Sequence, residues 1–183
     1  MEEIITDDEG IFEQAYEFLK AHQPGDLGKL RLYEDKSYSL WNLYGLATLL
    51  DDATRTRVWL KSGGYLVVEP TEALTVIDVN TGKYEGGKNA DATFVKINQE
   101  AAVEIAKQLR LRNISGIIII DFIDMKSEAD KLDTLSVLNK ELKKDPVKAT
   151  LVDMTKLNLA EVTRKKVKKS LREQLGNYDY RRN

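Results

Sequence analysis

Apolar positions recur in two rhythms along this chain, one of period two and one close to period 3.6. Residues 3–6 (EIIT) read as a short strand. Asp7-Asp8-Glu9 then offers an N-cap and a negative first turn. Ile11, Phe12, Ala15, Phe18 and Leu19 follow at helical spacing and predict a helix over 9–21. Gln23-Pro24-Gly25 ends it. Residues 29–33 (KLRLY) alternate as a strand does. Leu40, Leu43, Leu46 and Leu49-Leu50 predict a helix over 39–53. The first 54 residues therefore read β-α-β-α.

The texture changes at Arg55. Residues 56–60 (TRVWL), 65–69 (YLVVE) and 73–80 (ALTVIDVN) are strand-like, the last two forming a hairpin around Pro70-Thr71. Residues 81–92 form a glycine-rich loop with Gly82, Gly86 and Gly87. A long helix is predicted over about 93–112 from the stripe Phe94, Ile97, Ala101, Ile105 and Leu109. Gly116 to Ile120 reads as a buried strand because its β-branched run is continuous. Ala129, Leu132, Leu135, Leu138 and Leu142 predict a helix over 127–143. A strand over 147–153 and a basic final helix over 161–174 complete an α/β fold on a mixed sheet, of the α+β kind. No internal repeat and no low-complexity segment interrupts the pattern.

Composition narrows the chemistry. The chain is 42% hydrophobic, enough for a packed core. It contains no cysteine, which excludes disulfides, thiolate metal sites and a cysteine nucleophile. His22 is the only histidine, so a multi-histidine centre within one chain is excluded. His22 lies beside Pro24 in a predicted turn and reads as a surface residue. The run Ile117–Ile120 is too short to span a bilayer. The acidic start Met1-Glu2-Glu3 does not resemble a signal peptide, and a cytoplasmic protein is the default.

Charge is spread unevenly. Residues 1–60 carry a net −6, residues 61–160 a net −1 and residues 161–183 a net +5. The basic end holds Arg164-Lys165-Lys166 and Lys168-Lys169. Such a cluster suits a phosphate backbone, and it equally suits a solvated helix end.

The acids that carry candidate chemistry end two strands. Asp78 and Asn80 alternate onto one face of Thr75–Asn80, and Asp121 closes the apolar run Ile117–Ile120. Carboxylates placed together repel and raise a pKa, a conflict that a divalent cation removes. Mg²⁺ takes oxygen ligands, commonly one or two carboxylates with water or phosphate completing its shell. Hydrogen-bonded acids at sheet edges fit the same pattern. Asp124 precedes a helix, and Ser127 with Asp130 resembles a capping box, so Asp124 reads first as a helix cap and next as a residue behind the metal ligands.

Gly82–Asn89 fits G-x-x-x-x-G-K but ends in Asn, where a phosphate loop needs Ser or Thr. A substrate-facing loop is the better reading. Lys61, Lys107, Arg110 and Arg112 add positive charge, although Arg110 and Arg112 also complement a helix C-terminus. Trp59, Tyr65 and Tyr84 have the chemistry to stack on bases. Trp59 and Tyr65 read first as core or sheet residues.

Several stretches resemble the ribonuclease E/G family. They are Val58–Val67, Thr71–Gly82, Asn98–Ala102, Ile105–Arg112, Gly116–Met125 and Thr163–Val167 with Ser170-Leu171. The resemblance runs from about Arg55 to Leu175 and extends more weakly over residues 3–54. It implies a DNase I-like catalytic subdomain over 55–175, preceded by part of an RNase H-like subdomain over 1–54. A polar tail over 176–183 would follow.

The resemblance also implies Mg²⁺-dependent hydrolysis of single-stranded, A/U-rich RNA, leaving 5′-phosphate and 3′-hydroxyl ends. Asp78 and Asp121 match the family's metal-binding aspartates and Asn80 its active-site asparagine. Lys61, Arg112, Lys148, Arg164 and Lys165 become candidate contacts to the RNA backbone. The family's OB-fold and 5′-sensor domains have no counterpart here. Its C-P-x-C zinc link is replaced by Leu175-Gly176-Asn177-Tyr178-Asp179-Tyr180, so a zinc-joined dimer does not carry over and another oligomer stays open. A catalytic fragment or short family member is expected, the alternative being an RNA-binding module without useful activity of its own.

Overall fold

A computed structural model describes residues 2–82 and 90–176. Contacts divide the chain into two compact units, one up to Asp51 and one from Asp52 onward.

In the first unit, strand β1 (Ile4–Thr6) pairs in parallel with β2 (Leu30–Leu32) across helix α1 (Glu9–His22). Asp8 caps α1, its carboxylate accepting from the Ile11 N–H at 2.8 Å. A 3₁₀ turn over Pro24–Lys29 returns the chain to β2. The helix predicted over 39–53 is two helices, α2 (Leu40–Leu43) and α3 (Leu46–Thr54). Gly45 divides them, with φ at +58° in the left-handed region. His22 is exposed at the end of α1, as expected, with its ring stacked on Phe18.

The second unit is built on a mixed six-stranded sheet. Its strands are β3 (Arg57–Trp59), β4 (Tyr65–Pro70), β5 (Leu74–Asn80), β6 (Gly116–Asp121), β7 (Ala149–Met154) and β8 (Leu159–Arg164). They lie in the order β3-β4-β5-β6-β8-β7, and only β5 and β6 are parallel. Helix α4 (Ala90–Leu111) carries the chain between those two, and α5 (Glu128–Leu142) joins β6 to β7. Alternate strand residues, including Leu66, Ile77, Ile118, Ile120 and Val162, pack with Ile97, Ile105 and Leu109 of α4 and Leu138 of α5 in one buried cluster. Among the described residues, no helix is long and apolar enough to cross a membrane.

Two expectations need correction. The final helix predicted over 161–174 is strand β8 over its first third. Residues 159–164 have the period-two burial of a strand, with Ala160, Val162 and Arg164 inside, and they pair with both β6 and β7. Only α6 (Leu171–Leu175) is helical. Ser170 starts it with a capping box, its Oγ accepting from the Glu173 N–H while Glu173 accepts from the Ser170 N–H at 2.7 Å. The basic run is therefore mostly a connection. Strand β6, expected to be buried throughout, is buried only at Ile118 and Ile120 on its helix side, while Ile117 is half exposed.

Candidate active site

Strands β5 and β6 bring the predicted acids together. Their parallel register sets Asp78 directly opposite Asp121. Both lie at the carboxyl ends of their strands, where open α/β sheets commonly bind ligands. Asn80, two residues along β5 on the same face, donates from Nδ2 to Asp78 Oδ2 at 2.7 Å. Burial pushes the Asp121 carboxyl above its ordinary range, and the negative charges of Asp78 and Asp124 push it further. Asp124 is therefore close enough to act on Asp121. It does not cap α5 as expected, because Ser127 does so, accepting from the Asp130 N–H at 3.4 Å.

Helix α4 holds the surrounding backbone with two residues of the stretch Asn98–Ala102 to which the sequence patterns gave no role. Asn98, fully buried, donates to the Ile123 carbonyl at 2.8 Å and accepts from the Ile123 N–H at 3.0 Å. It thereby clamps the segment between Asp121 and Asp124. Glu100 accepts from the Lys61 N–H at 2.7 Å and the Ser62 N–H at 3.1 Å, fixing the turn before β4. Burial alone would raise the Glu100 carboxyl, but the hydrogen bonds from Ser62 and Lys61 outweigh it and hold the group low. The available signal was a polar side chain interrupting the apolar surface of a long helix.

Glycine completes the packing. A Cβ on Gly64 would come within 2.8 Å of the Asn80 carbonyl oxygen. Gly82, at φ +68°, would place a Cβ 2.1 Å from the Gly63 carbonyl oxygen. The turn can lie against the end of β5 only because neither residue has a side chain. Lys61, exposed in that turn, thus stands at the same end of the sheet as Asn80.

The other predicted cations are elsewhere. Gly116, at the start of β6, pairs with Arg164, which pairs in turn with Ala149. Five steps along the strand separate Gly116 from Asp121, about 17 Å at the usual rise. Arg164, Lys165 and Lys148 therefore lie at the opposite end of the sheet, with Lys165 donating its N–H to the Lys148 carbonyl at 3.0 Å. Arg164 is buried against Asp145, Nε to Oδ2 at 2.8 Å, and also donates to Asn113 and the Ile114 carbonyl.

Arg112 follows the last turn of α4 and is buried too. Its Nε donates to Gln108 and its Nη1 to the Arg55 carbonyl, while Nη2 has no partner. Arg112 and Arg164, expected as contacts to the RNA backbone, are thus both buried. Their guanidiniums serve the interior, where a planar fork with several donors can tie distant segments together. Of the glycine-rich loop predicted over 81–92, residues 83–89 with Tyr84 lie outside the described residues, as does most of the tail, and residues 90–92 already belong to α4.

The donor set fits a hard cation. It offers two carboxylates in register and a third nearby, with repulsion that a positive charge relieves. Among the described residues, no group of three or more His, Cys, Asp or Glu side chains is arranged to hold a metal. A cation at Asp78 and Asp121 would thus keep part of its shell for water or phosphate, as Mg²⁺ commonly does.

Comparison with known proteins agrees with the motifs. The Ribonuclease E/G family model matches residues 1–167. The chain is 40% identical over 177 residues to ribonuclease G of Salmonella typhimurium (strain SL1344), covering 97% of this chain and 36% of that protein. It is 41% identical over 171 residues to ribonuclease G of Haemophilus influenzae, covering 93% and 35% respectively. Ribonuclease E of a Nostoc strain is 49% identical over 125 residues, covering 68% of this chain and 18% of that protein. The chain thus spans little more than a third of the length of the ribonuclease G relatives. A match this extensive means that the chain belongs to the ribonuclease E/G family.

Proposed function

We propose that this chain is the catalytic part of a cytoplasmic, Mg²⁺-dependent endoribonuclease that hydrolyses single-stranded RNA. Residues 55–175 would be its DNase I-like subdomain and residues 1–54 part of its RNase H-like one. The observation that carries this reading is the register pairing of Asp78 with Asp121, with Asn80 bound to Asp78. The relatives named ribonuclease G and ribonuclease E support the reaction class.

In this reading Asp78 and Asp121 hold the cation. When bound, Mg²⁺ supplies positive charge to the phosphate and acidity to water. Asn80 keeps the Asp78 carboxylate in one orientation. Asn98 and Glu100 fix the loops on either side, so that the carboxylates need little rearrangement on binding. Asp124 adds negative charge behind the pair. Lys61 contacts the RNA backbone at the site, while Lys148 and Lys165, exposed at the far end, contact backbone remote from it.

Asp121→Asn should abolish Mg²⁺-dependent cleavage of a single-stranded A/U-rich oligoribonucleotide, a loss of at least a hundredfold on the order expected for an electrostatic catalytic group. Circular dichroism should be unchanged. Undiminished cleavage by that variant would overturn the assignment. The alternative, an RNA-binding module without useful activity, draws on the short span relative to the relatives. It predicts equal RNA binding with Mg²⁺ or chelator, and no products in either.

A further inference from the structure

Three side chains on β3 and β4 form a cluster that the carboxylate site does not use. Trp59 is 61% exposed, although tryptophan ordinarily buries most of its surface. Its ring lies against Tyr65 with centroids 5.2 Å apart and planes at 60°. The Arg57 guanidinium sits over both rings, 4.4 Å from the Tyr65 centroid and 5.8 Å from that of Trp59. Both distances lie within cation–π range. Val58, between Arg57 and Trp59 in sequence, points the other way and packs on the core. The reading of Trp59 as a sheet residue holds, but its ring belongs to the surface.

Register ties this cluster to the acids. Trp59 pairs with Tyr65, and Tyr65 with Asn80. Directly opposed residues project on one face of a sheet. Trp59, Tyr65 and Asn80 therefore form one row, with Asp78 two residues along β5 and Asp121 opposite it. Trp59 stands two strands from Asn80, about 10 Å at the usual spacing. Arg55 joins Arg57 and Trp59 around a shallow cavity of about 310 Å³ at that edge.

We propose that Trp59 and Tyr65, braced by Arg57, form a stacking platform for an unpaired base of RNA whose backbone passes the Asp78–Asp121 pair. The exposed Trp59 ring offers a base its face without reading its edge, with the half-buried Tyr65 supporting it, and a guanidinium favours a neighbouring phosphate. The ring-on-ring and cation–ring contacts exist before any ligand arrives, so little ordering is needed on binding. Trp59 and Tyr65 are positioning residues in this scheme. The platform rests on the reading that RNA is the substrate, and it adds where a nucleotide flanking the scissile phosphate is held.

The test measures binding separately from cleavage. In a Trp41→Phe background, the fluorescence of Trp59 is titrated in chelator with a single-stranded A/U-rich oligoribonucleotide. A ribose-phosphate chain of equal length without bases is the second probe. Stacking predicts quenching by the first probe only. Trp59→Ala should lower affinity for the base-bearing RNA by roughly five- to a hundredfold. It should leave affinity for the abasic chain unchanged, and Trp59→Phe should retain most of the binding. With Mg²⁺ present, Trp59→Ala should raise KM more than it lowers kcat. Equal affinity of Trp59→Ala and parent for base-bearing RNA overturns the platform, as does an equal loss on both probes. Trp59-dependent binding with no cleavage by the parent supports the platform and counts only against the catalytic reading.

Discussion

The two ends of the six-stranded sheet treat charge in opposite ways. At the carboxyl end of β5 and β6, Asp78, Asp121 and Asp124 bring like charges together, and burial, reinforced by those charges, makes Asp121 hold its proton more tightly. At the other end, Asp145 and Arg164 are deeply buried but matched, and Asn113 bridges Arg164 to the carbonyls of Lys168 and Lys169. The first arrangement costs stability unless a cation enters; the second ties β8, the loop after α5 and the end of α4 together. Charges answered inside the chain hold the fold, whereas like charges left together carry a cost that a bound cation would relieve.

Breaking the matched end should have the largest effect on stability. Arg164→Ala leaves the Asp145 carboxylate buried without its partner and should cost about 3–5 kcal/mol, read as a large fall in denaturation midpoint. A loss below 1 kcal/mol would mean that water reaches Asp145 and that the two ends differ less than their burial suggests. Acid should act on the same contact. Burial alone raises the Asp145 carboxyl, but the hydrogen bond from Arg164, with that from the Val147 N–H, outweighs it and leaves the group low. Its stabilising contribution is thus complete above the ordinary carboxylate range and disappears as pH falls below that range. With the Arg164 hydrogen bond gone, Asp145 binds its proton more readily, so the destabilisation of Arg164→Ala relative to the parent should shrink as pH falls through the carboxylate range.

Glu100→Ala tests the bracing of the carboxylate end. Two backbone N–H groups lose a charged acceptor, with an expected cost of about 1–3 kcal/mol. Hydrogen exchange at Lys61 and Ser62 should quicken while exchange in β6 does not, and protection unchanged at both amides would show that Gly64 and Gly82 hold the turn alone. The smallest effect carries the opposite sign. Without divalent cation, Asp121→Asn should raise Tm slightly, on the order of one degree, because it removes a repelling charge from an exposed rim. For the parent, stability in chelator should rise as pH falls through the raised Asp121 pKa, since the folded state binds that proton more tightly than the unfolded chain does. A fall in Tm for Asp121→Asn would show that the carboxylate is a net stabiliser and would erase the contrast.

The strands and long helices were legible because each has a period and a bounded length. The acids were legible because a carboxylate closing an apolar strand has few reasons to be there. The predicted final helix failed at residues 161–164, where Glu161, Val162, Thr163 and Arg164 suit either period and only partners on both sides select a strand. The surroundings of the cations were less legible for a related reason. Arginine is suited both to RNA and to buried carboxylates and carbonyls, and composition does not separate the two. Asn98 and Glu100 were hidden because their partners, Ile123, Lys61 and Ser62, are 25 to 39 residues away.

The sequence by itself determined the chemistry on offer: no thiol, one histidine, acids at strand ends and a basic C-terminal run. It also carried the motifs that mark the family. Tertiary structure decided which of those groups meet. Parallel pairing put Asp78 opposite Asp121, and antiparallel pairing of β8 carried Arg164 to the far end of the sheet. The same register placed Trp59 and Tyr65 in line with Asn80. The division follows from range: side-chain chemistry and periodicity are local, whereas strand register is set by long-range packing, and a shift of one residue turns every side chain to the other face.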